Sequence, residues 1–139
     1  MAQGLLRHLL EKKGRTDVQV LSAGVGTAGG MGPTPETVEV MEREGIDVSG
    51  HIGQPLTPTL VARADALFCM EEFHREAILR QAPEAAGKVH LLREFQAKQP
   101  PVNPNIPDPI GLPKEIYESC FFTIQEAVGR VARWLEENQ

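Results

Sequence analysis

Residues Ala66-Leu67-Phe68-Cys69-Met70 form a five-residue apolar run with no charge inside it. A run this short and this uniformly apolar reads as a strand buried on both faces, which places it inside a parallel sheet covered by helices. Its neighbours agree. Glu71 to Ala82 is amphipathic, carries acids in its first turn where they suit the helix dipole, and ends at Pro83. Val89-His90-Leu91-Leu92 then reads as another strand. Strand, helix and strand in this order predict an α/β fold with a parallel sheet.

The rest of the chain extends the alternation. Leu5, Leu6, Leu9 and Leu10 repeat at helical spacing and Gly14 is a C-terminal stop. Val18 to Ser22 is short and β-branched and predicts a strand. Ala23 to Gly32 holds five glycines and predicts a flexible loop. Thr34-Pro35 is an N-cap followed by Pro at the first helical position, so a helix is expected from there to Gly45, with Val38 and Met41 on its buried side. Ile46 to Leu56 is a polar loop. Thr57-Pro58 repeats the cap and begins a short helix. Arg93 to Pro113 contains six prolines and no periodicity, a long loop of the kind that often carries function. A final helix is expected from Pro113, burying Ile116, Tyr117, Phe121, Ile124, Val128, Val131 and Leu135.

Composition narrows the function classes. The 139 residues have a net charge of −5 and no basic stripe, which argues against nucleic-acid binding. No apolar run is long enough to span a bilayer. Gln3, Arg7, His8 and Glu11 interrupt any signal-peptide core, so a cytoplasmic location is expected. Cys69 and Cys120 are expected to be free thiols, and the four histidines are too widely spaced for a metal site, so no metal or other cofactor is expected.

Several segments, in order, resemble the low-molecular-weight protein tyrosine phosphatases. Met1-Ala2-Gln3-Gly4-Leu5-Leu6 looks like the start of that family's first helix, and Ser22-Ala23-Gly24 like the end of its second strand. Glu44-Gly45-Ile46-Asp47, Ser49-Gly50-His51 and Leu56-Thr57 follow. Phe68-Cys69-Met70 resembles the end of the third strand, Ile106-Pro107-Asp108-Pro109 the acid loop, and Tyr117 and Cys120 the last helix. The resemblance covers essentially residues 1–139, one domain. It implies a three-layer α/β fold with a twisted parallel sheet flanked by helices. It also implies a phosphomonoester hydrolase in which a cysteine thiolate, held with an arginine in a C-x5-R-S loop at a helix N-terminus, forms a phosphocysteine. A helix end of that kind offers unpaired N–H groups and positive potential, which hold phosphate and lower a thiol pKa.

By the same resemblance Asp108 is the general acid, against an ordinary Asp-Pro turn residue. Ser22 and His51 brace the phosphate loop. The substrate is a phosphorylated protein or small phosphomonoester, and the lack of an aromatic residue at Gly29-Gly30-Met31 or after Pro109 weakens the case for phosphotyrosine. The match begins just after the family's Arg-Ser-Pro. The expectation is therefore an N-terminally truncated domain that lacks the first, central strand, the nucleophile and the phosphate-binding arginine, and is inactive as given. Cys69 and Cys120 read as small buried residues. The alternative is a natural pseudophosphatase serving as an anion- or phosphopeptide-binding or oligomerisation module. The open sheet is expected either to rearrange into three strands or to be filled by a second copy in a homodimer.

Overall fold

The computed structural model describes residues 1–26 and 29–138. Helix α1 (Ala2–Lys12) ends as the sequence predicts. Gly14 takes φ +71°, its N–H donates to the Glu11 carbonyl, and the Arg15 N–H donates to the Leu10 carbonyl. This pair of bonds closes the last turn and needs a left-handed residue that glycine supplies without strain. In α2 (Pro35–Glu42) the Thr34 hydroxyl accepts from the Thr37 N–H, and in α3 (Pro58–Arg63) the Thr57 hydroxyl accepts from the Leu60 N–H. Both Thr-Pro caps therefore hold. The buried side of α2 is Val40 and Met41, with Val38 only half-buried.

Strands β1 (Leu67–Cys69) and β2 (Val89–Leu91) pair in parallel, with Phe68 opposite His90, and α4 (Glu72–Gln81) connects them. A 3-10 helix over Pro83–Lys88, absent from the sequence reading, completes the crossover. Side chains alternate across the two strands. Cys69, Val89 and Leu91 enter a core with Val61, Ile78 and Ala85 beneath α3 and α4. Phe68 packs on the opposite core, where Leu5 of α1 and Met41 of α2 meet Tyr117, Phe121, Ile124 and Val128 of α5 (Lys114–Glu137). The result is helices, sheet, helices. On α5, Tyr117, Phe121, Ile124, Val128 and Val131 are buried as expected, Leu135 is partly buried, and Ile116 faces solvent.

The sheet is smaller than the sequence predicts. Val18 to Ser22 forms no ladder: among the described residues no strand pairs with it. Side chains serve its carbonyls instead: Gln3 Nε2 and an Arg7 guanidinium nitrogen donate to the Val20 carbonyl at 3.1 and 2.9 Å, and Gln54 Nε2 donates to that of Ser22 at 3.0 Å. A single bridge, Gly24 to Pro55, follows. The expected three-stranded rearrangement does not form: among the described residues the sheet has two strands. Nor is β1 buried on both faces; only Cys69 is fully covered. The Leu92 N–H donates to the Cys69 carbonyl, so Cys69 faces β2. By the alternation of a parallel ladder, the Phe68 N–H and C=O then point away from β2 along an open edge. The accessible surface is 8583 Å², against about 7,100 Å² for a compact chain of this mass. No described helix is long and apolar enough to cross a membrane.

Candidate active site

The N-terminal end of α1 is the focus of the site. No side chain caps it and its first turn carries no acid, so its first N–H groups and positive end are not neutralised from within. Burial lowers the pKa of the Met1 amino group, while Cys120 and Asp108 pull it back up. The same three groups act on the Cys120 thiol: burial raises its pKa most, the amino group lowers it and Asp108 raises it. Asp108 and Cys120 thus both lie within electrostatic reach of the start of α1.

Asp108 stands on the proline-rich loop. The Ile106 N–H donates to the Met70 carbonyl at 2.8 Å and Ile106 is buried, which pins the loop to the end of β1. Asn105 Oδ1 accepts from the Glu72 N–H at 2.7 Å, tying the loop to α4. The loop therefore has a fixed origin although it has no regular structure. Asp108 itself is exposed, and its Oδ1 accepts from the Ile110 N–H at 3.0 Å. That turn is compatible with either reading of the residue, since the carboxyl stays open to solvent.

Ser22 and His51 lie side by side. Ser22 Oγ lies 3.4 Å from His51 Nε2 and 2.6 Å from Gln3 Oε1. Gln3 and Gln54 complete this cluster, and neither was singled out in the sequence. A polar residue in the first turn of a helix reads as solvated, and only the spatial return of residues 20–22 onto α1 reveals the role of Gln3. Gly29 to Met31 runs beside 53–54, with the Gly30 N–H donating to the Gly53 carbonyl and the Gly53 N–H to that of Met31. Thr27 and Ala28 of the predicted glycine loop lie outside the described residues. Met31, Ile52 and Ile110 are exposed apolar side chains, and none of them is aromatic.

One pattern escaped the sequence reading. Cys69 and Arg75 are separated by five residues at a strand-to-helix junction, the spacing of a phosphate loop. The surroundings of Cys69 differ from those of a nucleophilic thiol. Cys69 is 4% exposed, and burial pushes its thiol up to about 11, with Arg75 only partly opposing. A nucleophilic thiol is shifted the other way. Of the amides at the start of α4, those of Glu71, Glu72 and His74 are already occupied. The Glu71 side chain accepts from the His74 N–H, the His74 ring accepts from the Glu71 N–H at 3.2 Å, and Asn105 holds the Glu72 N–H. Two carboxylates, on Glu71 and Glu72, stand where an anion would enter.

A three-layer α/β fold with a bare helix end facing an Asp-Pro loop and a Ser–His pair defines a phosphatase-type scaffold. The profile of the family described as low molecular weight phosphotyrosine protein phosphatase matches residues 1–139, and the chain belongs to that family. It is 36% identical over 128 residues to a curated protein of Ralstonia nicotianae, described as a probable low molecular weight protein-tyrosine-phosphatase EpsP, covering 92% of this chain and 81% of the relative. Among solved structures, a mutant of the YwlE arginine phosphatase with a phosphorylated active-site serine superposes with a TM-score of 0.89 at 28% identity, over 99% of this chain and 88% of that one. The tyrosine phosphatase Wzb from Escherichia coli K30, in complex with sulphate, gives 0.82 at 32% identity, over 96% and 87%.

Proposed function

We propose that these 139 residues form the acid-loop and bracing side of a cysteine-dependent phosphomonoester site, and that as a polypeptide of this sequence they do not turn over substrate. The observation that carries this reading is the uncapped N-terminal end of α1 within electrostatic reach of Asp108. Phosphate would sit on the α1 amides, with its ester oxygen toward Asp108, which would protonate the leaving group, a step that typically contributes about 10²- to 10⁴-fold. Ser22 and His51 would hold the 17–24 segment against the phosphate-binding turn. No thiolate stands at that helix end. Cys69 is on another strand, and burial pushes up the thiol pKa of Cys120, on α5, the opposite of what a nucleophile needs.

The substrate class is a phosphorylated protein side chain, as the names of the arginine and tyrosine phosphatases similar to this chain support. The exposed apolar side chains beside the glycine segment, His51 and Asp108 are Met31, Ile52 and Ile110, all aliphatic, which leans toward a flexible side chain such as phosphoarginine over an aromatic ring. An aryl phosphate assay on this polypeptide is expected to give background hydrolysis, and turnover of about 1 s⁻¹ or more would overturn the reading. The sharper arm adds an upstream strand and Cys-x5-Arg-Ser loop. Turnover that appears in the extended polypeptide and falls about 10²-fold or more in Asp108→Asn supports the assigned roles.

A second reading uses the same features without chemistry: an anion- or phosphopeptide-binding module, or a dimer closing the open edge at Phe68. Calorimetric heat with millimolar inorganic phosphate supports the first form. A monomer in light scattering with one cooperative unfolding transition rejects the dimer.

A further inference from the structure

The hydrogen bonds around Ser22 have a direction, and the direction can be read from the donors and acceptors alone. The Val20 carbonyl can only accept, and Gln3 approaches it at 3.1 Å. The Gln3 end nearest Val20 is therefore its NH₂, which leaves Oε1 turned toward Ser22 at 2.6 Å. Oε1 also can only accept, so the single Ser22 hydroxyl proton is spent on Gln3. Ser22 Oγ keeps only lone pairs for His51 Nε2, 3.4 Å away. The contact is a hydrogen bond only if Nε2 carries a proton. The Arg7 guanidinium fills the remaining position on the Val20 carbonyl at 2.9 Å, which holds the first link in place.

We propose that Gln3 is a positioning residue that fixes the proton of His51 on Nε2, acting through Ser22. The chain of donors runs from His51 to Ser22 to Gln3 and then from Gln3 to the main chain of residue 20. It ties the first turn of α1 to the glycine-flanked histidine in one defined tautomer. Its bearing on phosphate binding rests on the reading of the site given above; the proton direction itself does not.

The test is two-bond ¹⁵N–¹H correlation of the histidine rings in this polypeptide, at a pH above the titration of His51. The native chain is expected to show the Nε2–H pattern alone. In Gln3→Leu the Ser22 proton loses its acceptor and turns to His51, so the single-tautomer pattern is expected to be lost as the Nδ1–H form appears. Gln3→Glu retains an acceptor and is expected to restore Nε2–H. On a Ser22→Ala background, Gln3→Leu is expected to change nothing, because the link is already cut. A residue that merely tethered the segment would leave the tautomer unmoved in Gln3→Leu. Nδ1–H in the native chain, or an unchanged pattern in a folded Gln3→Leu, overturns the proposal. Either failure leaves the phosphatase reading standing, since no step of the test uses a phosphate or turnover.

Discussion

Two helix N-termini in this molecule look alike in outline and differ in everything an anion would sense. At α4, a strand ending in Cys69 leads into a helix carrying Arg75, the spacing of a phosphate loop. Yet the N–H groups of Glu71, Glu72 and His74 are taken by the His74 ring, Asn105 and Glu71, and Glu71 and Glu72 bring two carboxylates to the turn. At α1 the turn has no cap and no acid, and Asp108 lies within electrostatic reach. A phosphate site depends on free amides, positive potential and an open thiolate together. Residue spacing supplies none of these by itself. The α4 junction has the motif without the physics, and α1 has part of the physics without the motif.

The largest expected effect is on thiol chemistry. With its pKa at about 11, Cys69 is ionised to about one part in 10⁴ at pH 7, against a few per cent for a free cysteine near 8.5. Alkylation by iodoacetamide followed by mass spectrometry should find Cys69 at least about 100-fold slower than a small thiol. The rate should climb about tenfold per pH unit up to pH 11, because only the thiolate reacts. Fast, pH-flat labelling of Cys69 would break the comparison. Next in size is the contrast in anion affinity. Inorganic phosphate in an amide-detected NMR titration is expected to shift Ala2 to Leu5 at concentrations at least about tenfold below any that move Glu72 to Arg75, a difference of about 1.4 kcal/mol.

Much of the fold was written locally enough to be read from residues. The Thr34-Pro35 and Thr57-Pro58 caps, the Gly14 stop and both apolar strands depend on a few neighbours, and each forms where its chemistry predicts. Val18 to Ser22 has the composition of a strand and is not one, because a strand is a property of a pair and this segment has no partner beside it. The Pro83–Lys88 helix carries no apolar period and left no signal. Ile116 reads as buried from spacing but sits about 100° round the helix from Tyr117, off the face that enters the core. At the site, the family resemblance singled out Ser22 and His51 but not the contact between them. Gln3 was not, since its partners Val20 and Ser22 reach it only through the turn of the chain after α1. The burial of Cys69 was likewise invisible in its spacing.

Smaller effects sharpen the contrast from the packing side. Gly4 lies in the first turn of α1, where an added Cβ would meet Val48 Cγ1 at 2.8 Å and Met41 Cε at 3.4 Å. On helix propensity alone Gly4→Ala gains about 1 kcal/mol. The overpacking, against a Met41 that is fully buried, costs about 1–3 kcal/mol. The cost should exceed the gain, so urea denaturation is expected to show a net loss of about 1 kcal/mol. A stabilised Gly4→Ala would mean that the α1 end is loosely seated, and the case for a formed anion-binding turn would weaken with it.

The smallest effect is at α4. Glu71→Ala removes the carboxylate that accepts from the His74 N–H and leaves the reciprocal bond from the Glu71 N–H to the His74 ring without its partner. Losing one side of such a box costs about 0.5–1 kcal/mol. The Glu72 N–H stays on Asn105 and Glu72 itself remains, so the freed amide alone should not admit phosphate, and the α4 resonances should still be insensitive to it. Removing one carboxylate tests whether occupancy of the amides or the bare Cys-x5-Arg spacing decides. If phosphate bound at α4 in Glu71→Ala as tightly as at α1, the spacing would carry more of a phosphate site than the geometry of this junction allows.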